Sequence, residues 1–325
     1  MSRREIESRS FLFGPVPSRR LGRSLGIDVI PAKTCSLDCL YCESGPTTHL
    51  TIQRRAFFPP DRVLAELEDF LRRRPGSVDA VTFSAAGEPT LYEPLGELAH
   101  AIKKRFPDLP LVMLTNGTLL WDPAVRRDLL LFDRVVPSLD AADEKTFAAL
   151  NRPHPRLDWE RVLEGLRAFR KDYRGQYHLE IVLVRGVNDS REHLEALARL
   201  AEGIGPDRVE LNTVVRPPAH PGVRGLDSTA MERAAALFPA GCTEVIGSFA
   251  SSGPVADPDD LPGRIVELVR RRPCTVEEMA ASLGVSPGRV SEAVAGLEKT
   301  GRVVRRRFHE REFVCAEPGS VNRDS

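Results

Sequence analysis

The strongest constraint on the fold is an alternation of short apolar or β-branched runs with amphipathic stretches along the middle of the chain. This alternation is typical of repeated βα units, in which helices cover parallel strands. Strands are predicted at 27–30, 80–84, 111–115, 134–139, 179–184, 209–214 and 244–249. Helices are predicted at 60–73, 95–105, 144–150, 158–169, 191–202 and 229–238. The pattern predicts an α/β fold, a partial (β/α)6 TIM-like barrel, with an open doubly wound sheet as the alternative.

A turn-rich stretch at 251–258 interrupts this pattern and predicts a linker. It divides a core domain at 1–250 from a second domain at 259–316, and the polar residues 317–325 are predicted to form a disordered tail. The second domain shows helices at 260–271, 276–283 and 288–300, then strand-like runs at 303–307 and 312–315. Helix, helix, short glycine turn, helix and two strands is the order of a winged helix-turn-helix domain.

Composition excludes several classes of protein. The 325 residues carry 46 basic and 46 acidic side chains, so the net charge of zero gives no indication of a polyanionic partner, and any basic patch must be local. No apolar run approaches the roughly 20 residues of a membrane span, and the N-terminus lacks the apolar stretch of a secretory signal. Three of the six cysteines lie within eight residues, which is unlike a disulfide framework. We therefore expect a cytoplasmic protein without a membrane partner.

The clustered cysteines are Cys35, Cys39 and Cys42, which follow the first predicted strand. Iron–sulfur cubanes and structural zinc sites both usually take four protein ligands, so a close set of three indicates a metal site with one open position. The spacing differs from that of ferredoxins, which argues against a plain electron carrier. The alternatives are three buried free cysteines, or a zinc site completed by His49.

The Cys-x3-Cys-x2-Cys spacing, with Tyr41 just before the third cysteine, resembles the cluster loop of the radical S-adenosylmethionine (SAM) superfamily. The resemblance implies a [4Fe-4S] cluster on Cys35, Cys39 and Cys42, with SAM bound to the fourth iron. It also implies reductive cleavage of SAM to a 5'-deoxyadenosyl radical that abstracts hydrogen from an unidentified substrate. An external reductant of the flavodoxin or ferredoxin type is then expected as a partner.

Polar residues at the ends of later predicted strands are the candidate cofactor contacts. Gly87-Glu88-Pro89 resembles the superfamily's Gly-Gly-Glu-Pro motif, with Ala86 in place of the first glycine. A carboxylate at Glu88 suits an ammonium group, and Gly87 permits close approach of the backbone. The same resemblance implies further contacts from Asn116, Ser138, Asp140 and Asn212. Each has a structural alternative: a strand-exit turn, an Asn-Gly turn, a helix cap or simple surface exposure.

A longer resemblance joins the segments 13–26, 151–153, 185–189, 212–213 and 216–218. Together they are similar to a radical SAM subfamily grouped with the wyosine-base-forming enzymes of transfer RNA. Those enzymes carry further cysteines upstream for a second cluster, whereas no cysteine precedes Cys35 here. The resemblance therefore implies the chemistry and does not carry over a substrate. The isolated Cys242, Cys274 and Cys315 share no ligand spacing and are interpreted as structural.

Basic residues suggest where a substrate binds. The candidates for contacting an anionic substrate are Arg19, Arg20, Arg23, Arg216 and His220, with surface ion pairs as the alternative. Residues 261–316 hold 11 Lys or Arg against 7 Asp or Glu, so the predicted winged helix is basic. It is interpreted as binding either nucleic acid or protein, since Glu292 and Glu298 dilute its charge. The rival from another class is a non-catalytic iron–sulfur redox regulator that binds nucleic acid.

Overall fold

The computed structural model describes residues 9–18, 21–246 and 260–317. Its main sheet has eight strands in the order β1-β2-β5-β6-β7-β8-β9-β10, and all neighbouring pairs except β1–β2 are parallel. The strands are β1 (Leu12–Ser18), β2 (Gly22–Ile27), β5 (Ala80–Phe83), β6 (Leu111–Thr115), β7 (Arg134–Pro137), β8 (Gln176–Leu183), β9 (Arg208–Thr213) and β10 (Thr243–Val245). The order follows the chain without a reversal, so the sheet has the topology of a partial barrel and not of a doubly wound fold.

Helices connect these strands. They are α1 (Pro60–Arg73), α2 (Leu95–Arg105), α3 (Pro123–Leu129), α4 (Glu144–Asn151), α5 (Trp159–Asp172), α6 (Arg191–Ile204) and α7 (Ser228–Ala235). Side-chain caps explain several starting points: Asp158 accepts from Arg161 N, and Ser190 accepts from His193 N. Such a cap satisfies one of the backbone donors that a helix leaves open at its first turn.

The main core lies between the sheet and the helices. Leu25, Val81, Met113, Leu179 and Leu211 project from successive strands into one cluster with the helices' apolar faces. Because side chains alternate along a strand, the opposite, inner face carries the residues between them. That inner face is more polar: the hydroxyls of Ser24 and Thr82 lie 2.6 Å apart, and His178 Nδ1 lies 2.8 Å from Glu210 Oε1.

The prediction and the structure differ mainly at the start of the barrel. A strand was expected at 27–30, whereas β2 ends at Ile27 and 28–30 lead into the cysteine loop. The antiparallel strand β1 was not predicted, because Pro15 and Pro17 interrupt its pattern. Proline is tolerated there because β1 is an edge strand that needs hydrogen bonds on one side only. The short helix α3 was also missed.

The C-terminal part is a compact three-helix unit with a two-stranded wing. Its elements are α8 (Leu261–Arg271), α9 (Val276–Leu283), α10 (Pro287–Lys299), β11 (Val303–Phe308) and β12 (Arg311–Ala316). A capping box of Thr275 and Glu278 begins α9, and Gly284 ends it at φ 68°. The predicted linker at 251–258 lies outside the described residues.

The winged helix has its own apolar core and also packs against the edge of the barrel. Val16 of β1 joins the winged-helix core. Arg264 donates to Gly14 O at 2.8 Å, and the Arg271 guanidinium lies 4.3 Å from the Phe13 ring centre. The described part of the chain contains no helix that is both long and apolar enough to cross a membrane.

Candidate active site

The cysteine loop lies at the carboxyl end of β2. Cys35 ends the two-residue strand β3 (Thr34–Cys35), which pairs with β4 (His49–Leu50), and Cys39 and Cys42 follow in the loop. All three side chains are partly buried. Two backbone bonds tie the loop to the end of α4, from Asp38 N to Asn151 O at 3.0 Å and from Leu40 N to Leu150 O at 3.0 Å. The loop is therefore fixed from outside as well as by its own turns.

The Gly-Glu-Pro segment lies directly against the cysteine loop. Lys33 N donates to Ala86 O at 2.6 Å, and Glu88 N donates to Thr34 O at 3.1 Å. A Cβ atom on Gly87 would lie 2.1 Å from Thr34 O, so only glycine permits this approach. Ala86, which replaces the first glycine of the expected motif, is accommodated as a buried residue.

The Glu88 carboxylate is 1% exposed and accepts hydrogen bonds from four donors. Oε1 accepts from Thr90 N, Thr90 Oγ1 and Thr115 Oγ1 at 2.6–3.0 Å, while Oε2 accepts from Asn116 N at 2.7 Å. Burial raises the pKa of Glu88, and these hydrogen bonds oppose the rise. The residue thus connects the ends of β5 and β6, and Oε2 is the less used oxygen.

Asn116 extends this network to the first cysteine. Its Nδ2 donates to Ser36 Oγ at 2.9 Å and lies 3.5 Å from Cys35 Sγ. Its Oδ1 accepts from Thr118 N at 3.0 Å, which fixes the orientation of the amide. Gly117, at φ 73°, begins a turn that the bond from Leu120 N to Gly117 O closes at 3.2 Å, so a structural role of the Asn-Gly pair and the contact with the cysteine loop coexist.

Asp140 holds the other side of the cysteine loop. Its Oδ2 accepts from Tyr41 Oη at 2.5 Å and from Asn151 Nδ2 at 2.9 Å, and its Oδ1 accepts from Val182 N at 2.9 Å. Asn151 Nδ2 also lies 3.4 Å from Cys39 Sγ. Burial is the largest cause that raises the pKa of Asp140 and of Tyr41. Asp140 is therefore not the cap of α4, a role that Asp143 fills.

Two further residues that the sequence analysis left without a role belong to this site. Asn188 is fully buried, accepts from Val184 N at 2.7 Å, and donates to Asp140 O and Val182 O at 2.8 Å. Lys33 adopts φ 63°, and its Nζ lies 3.9 Å from Cys42 Sγ. Asn151 and Asn188 lie in the segments 151–153 and 185–189, whose family resemblance could have indicated their role in the site. No feature of the sequence indicated a role for Lys33.

Ser138 and Asn212 both lie next to Glu180 on the inner face of the sheet. Ser138 is bridged to Glu180 through the backbone, and Asn212 Nδ2 lies 3.5 Å from Glu180 Oε1. Both side chains are half-buried, next to the strand ends that carry Asp140 and Thr213. The structure therefore places all the candidate residues around the carboxyl ends of β5 to β9, in two groups. Glu88, Asn116 and Asp140 bond to the cysteine loop or its neighbours, whereas Ser138 and Asn212 face the barrel interior.

The cysteine side chains suit a cluster better than a single ion. Among the residues that the structure describes, no three or more His, Cys, Asp or Glu side chains are placed to hold one metal ion, and His49 is exposed. A cubane instead binds each thiolate to a different iron, so its ligands surround the cluster and need not converge on one ion. Burial raises the pKa of Cys35 to about 12 and that of Cys39 well above its usual value. Loading such a site therefore releases protons.

The structure corrects the prediction for the basic residues. Arg216 is 1% exposed, so it is not available to an anionic substrate in this conformation; its Nε lies 3.2 Å from Glu43 Oε2 and its Nη1 2.7 Å from Glu278 Oε2. Arg23 pairs with Asp79 at 2.6 Å, and His220 contacts the Arg152 guanidinium. Arg19 and Arg20 lie outside the described residues.

Comparison with known proteins decides the family. Residues 29–201 match the family model of the radical SAM superfamily, which is more than half of the chain. The chain belongs to the radical SAM superfamily. Residues 250–307 match the model of the DprA winged helix domain. The chain is therefore a radical SAM enzyme with a winged helix, and the non-catalytic regulator is not supported.

Two curated relatives are similar to this radical SAM enzyme over most of its length. A UPF0026 protein of Methanocaldococcus jannaschii is 37% identical over 236 residues, which cover 72% of each chain. A Brachyspira hyodysenteriae protein named GTPase Obg is 36% identical over 299 residues, 90% of this chain but only 43% of that protein. This chain therefore spans less than half of the length of that relative.

Solved structures agree on the fold of the radical SAM domain. A structure of TYW1 with a lysine-pyruvate adduct bound has a TM-score of 0.50 at 19% identity, covering 66% of this chain and 72% of TYW1. A radical SAM methyltransferase from Sphaerobacter thermophilus has a TM-score of 0.52 at 20% identity, covering 70% and 67%. Superfamily membership implies an iron–sulfur cluster and SAM in general terms, and an external source of electrons. At these identities the likeness concerns the fold alone.

Proposed function

We propose that Cys35, Cys39 and Cys42 hold a [4Fe-4S] cluster with which this radical SAM enzyme cleaves SAM reductively, and that the resulting 5'-deoxyadenosyl radical abstracts hydrogen from a substrate yet to be identified. The observation that carries the proposal is the arrangement around the cysteine loop. Three cysteines lie on one loop at the carboxyl end of the barrel, and buried polar side chains from two other strand ends bond to that loop. A flavodoxin or ferredoxin would supply the electron.

The protein's own contribution is to position the cofactor and to exclude water. We assign cofactor binding to Gly87, Glu88, Asn116, Ser138, Asp140 and Asn212. Glu88 Oε2 accepts one hydrogen bond, so it retains capacity for an ammonium group, which a carboxylate binds through charge-assisted bonds. The Ser138 hydroxyl makes no hydrogen bond within the described part of the chain, so it is available to a polar group of the ligand.

The first experiment is anaerobic reconstitution with iron and sulfide, followed by reduction in the presence of SAM. We expect about four irons per chain, together with 5'-deoxyadenosine measured by mass spectrometry. Cys39→Ala should lose the cluster and the product. Cys242→Ala is the matched control, since Cys242 lies outside the loop and should leave both unchanged. A wild-type protein that binds iron yet never forms 5'-deoxyadenosine, even with candidate RNAs or proteins added, would contradict the proposal.

The winged helix lies beside this site, which favours a macromolecular substrate. Phe308 at the tip of the wing packs in a cluster with Leu40 and Tyr41 of the cysteine loop and with Val184 and Val214 beyond the ends of β8 and β9. Ser44 Oγ, just after the third cysteine, donates to Arg271 O of α8 at 2.6 Å. A substrate bound by the winged helix would therefore lie next to the barrel opening.

Charge on the wing favours nucleic acid over protein as that substrate. Arg306 and Arg307 are exposed and form no ion pair among the described residues, and Arg224 lies 5.8 Å from the Phe308 ring centre and donates only to backbone oxygens. Guanidinium groups in this arrangement suit the phosphates of a nucleic acid backbone. The proposed partner is therefore a nucleic acid that the wing contacts through its phosphates.

Binding of RNA and DNA to the reconstituted protein at two salt concentrations tests this partner. Arg306→Glu/Arg307→Glu should weaken binding at least tenfold and reduce its salt dependence, because fewer counterions are released. Arg73→Glu, an exposed charge reversal on α1, is the control for a non-specific effect. Absent binding, or binding that does not depend on salt, would favour a protein substrate instead.

A further inference from the structure

Each sulfur of the cysteine loop has a side-chain N–H donor of its own. Asn116 Nδ2 lies 3.5 Å from Cys35 Sγ, Asn151 Nδ2 lies 3.4 Å from Cys39 Sγ, and Lys33 Nζ lies 3.9 Å from Cys42 Sγ. The three donors come from different parts of the fold: the end of β6, the last residue of α4 and the turn before β3. Such an arrangement, with one side-chain donor to each sulfur, requires the tertiary fold.

The donors are held in place by other bonds. The Asn116 amide is fixed through its bonds with Thr118 and Ser36, and the Asn151 amide also donates to Asp140 at 2.9 Å. The Lys33 ammonium also donates to Gly45 O. Side chains that are fixed in this way lose little further freedom when they donate to a thiolate, so their hydrogen bonds persist in the loaded protein.

We propose that Asn116, Asn151 and Lys33 raise the reduction potential of the iron–sulfur cluster by donating to its three thiolates. The inference rests on the proposed function, because it presupposes a cluster on these cysteines. Reduction adds one electron to the cluster and its ligands, which makes the sulfurs more negative. Donors stabilise that more negative state, and the positive charge of Lys33 adds to the effect, so the reduced cluster is favoured.

As a consequence, a weaker external reductant is sufficient to reduce the cluster. Asn151 and Lys33 act as positioning and tuning groups, since neither is assigned to cofactor binding, whereas Asn116 combines this tuning role with its assigned contact to the cofactor. The two amides should have the larger effects, because their nitrogens are nearer to sulfur and a hydrogen bond is stronger in less polar surroundings.

The test is a redox titration of the reconstituted cluster, followed by electron paramagnetic resonance, for three variants with measured iron and sulfide. Asn116→Ser is too short to reach Cys35 but still accepts from Thr118 N, Asn151→Leu removes the donor to Cys39, and Lys33→Met removes the charge near Cys42. Each midpoint should move to a more negative potential. At a fixed applied potential we expect the ratio of reduced to oxidised cluster to fall severalfold, where a tenfold fall corresponds to about 59 mV for one electron.

Lys104→Met on α2 is the control, since it removes an exposed lysine outside the cysteine loop. Unchanged midpoints in fully loaded variants, or an equal shift in Lys104→Met, would overturn the inference. If Asn116→Ser or Asn151→Leu does not bind iron, the midpoint potential of Lys33→Met decides whether the donors tune the cluster. A wild-type protein without a four-iron cluster would defeat the proposed function itself, whereas normal cleavage of SAM with unmoved midpoints would defeat only the role of these donors.

Discussion

Arg216 of the barrel and Glu278 of the winged helix lie 2.7 Å apart, and the guanidinium is 1% exposed. The same guanidinium lies 3.2 Å from Glu43, which directly follows Cys42. Desolvation opposes the charge of Arg216, but the two carboxylates outweigh it and raise the pKa of Arg216. This ion network joins the winged helix to the residue that follows the third cysteine.

Removing this guanidinium should loosen the winged helix. Arg216→Met removes the cation that Glu278 and Glu43 share, while Glu278 keeps its pair with Arg311 at 3.0 Å, so we expect a loss of about 1–3 kcal/mol of unfolding free energy. We expect a lower melting temperature and faster proteolytic cleavage between the barrel and the winged helix. Arg167→Met, at an exposed position on α5, is the control. Equal proteolysis of the two variants would show that the network does not hold the domains together.

Gly87 tests the contact between the Gly-Glu-Pro segment and the cysteine loop. Gly87→Ala would place a Cβ 2.1 Å from Thr34 O, and because this neighbour is backbone the two loops must separate. We expect a loss of about 1–3 kcal/mol of unfolding free energy, as for other overpacked sites, and reduced iron content after reconstitution.

The control for Gly87 is Gly203→Ala on α6, where a Cβ would meet nothing within 4 Å. Alanine should stabilise that helix by about 0.5–1 kcal/mol. Urea unfolding of both variants measures the difference, and similar stabilities for the two would contradict the close approach at Gly87.

A variant of Glu88 distinguishes a role in cofactor binding from a role in cluster assembly. Glu88→Gln puts an amide nitrogen where a carboxylate oxygen now accepts hydrogen bonds, and it removes the charge that an ammonium needs. We expect full iron content but at least tenfold weaker SAM binding by equilibrium dialysis. Glu93→Gln, at an exposed site, should change neither quantity. Loss of iron equal to that of Cys39→Ala would show that Glu88 serves the loop and not the cofactor.

Asn188 positions Asp140 through the backbone. Asn188→Leu keeps the approximate volume but leaves Val184 N and the carbonyls of Asp140 and Val182 without their buried partner. A buried group without a hydrogen-bond partner costs about 1–3 kcal/mol, so unfolding in urea should occur at a lower concentration. Asp189→Asn is the neighbouring control and should unfold like the wild type. An unchanged midpoint for Asn188→Leu would mean that water replaces the lost amide.

The sequence predicted the helices best where periodicity and caps agreed. The bounds of α1, α2 and α9 were predicted as observed, because proline, acidic or capping residues mark their starts and the apolar stripe is continuous. The strand at β6 was also predicted with its observed bounds. By contrast, β1 was not predicted because its prolines interrupt the alternation of apolar and polar residues. The strand predicted at 27–30 lies too far along the chain because the apolar run continues past the end of β2.

Local sequence determined the family and the order of the two parts of the chain. The spacing of residues within one loop or at one strand end is a local property. A motif such as Cys-x3-Cys-x2-Cys can therefore be recognised from the sequence without the structure. Only the tertiary structure decided that Asn151 and Lys33 approach the cysteine sulfurs, that Arg216 is buried between two carboxylates, and that the wing lies beside the cysteine loop. These contacts join residues far apart in the chain. The packing of side chains brings them together, and the residue pattern of a single segment does not determine that packing.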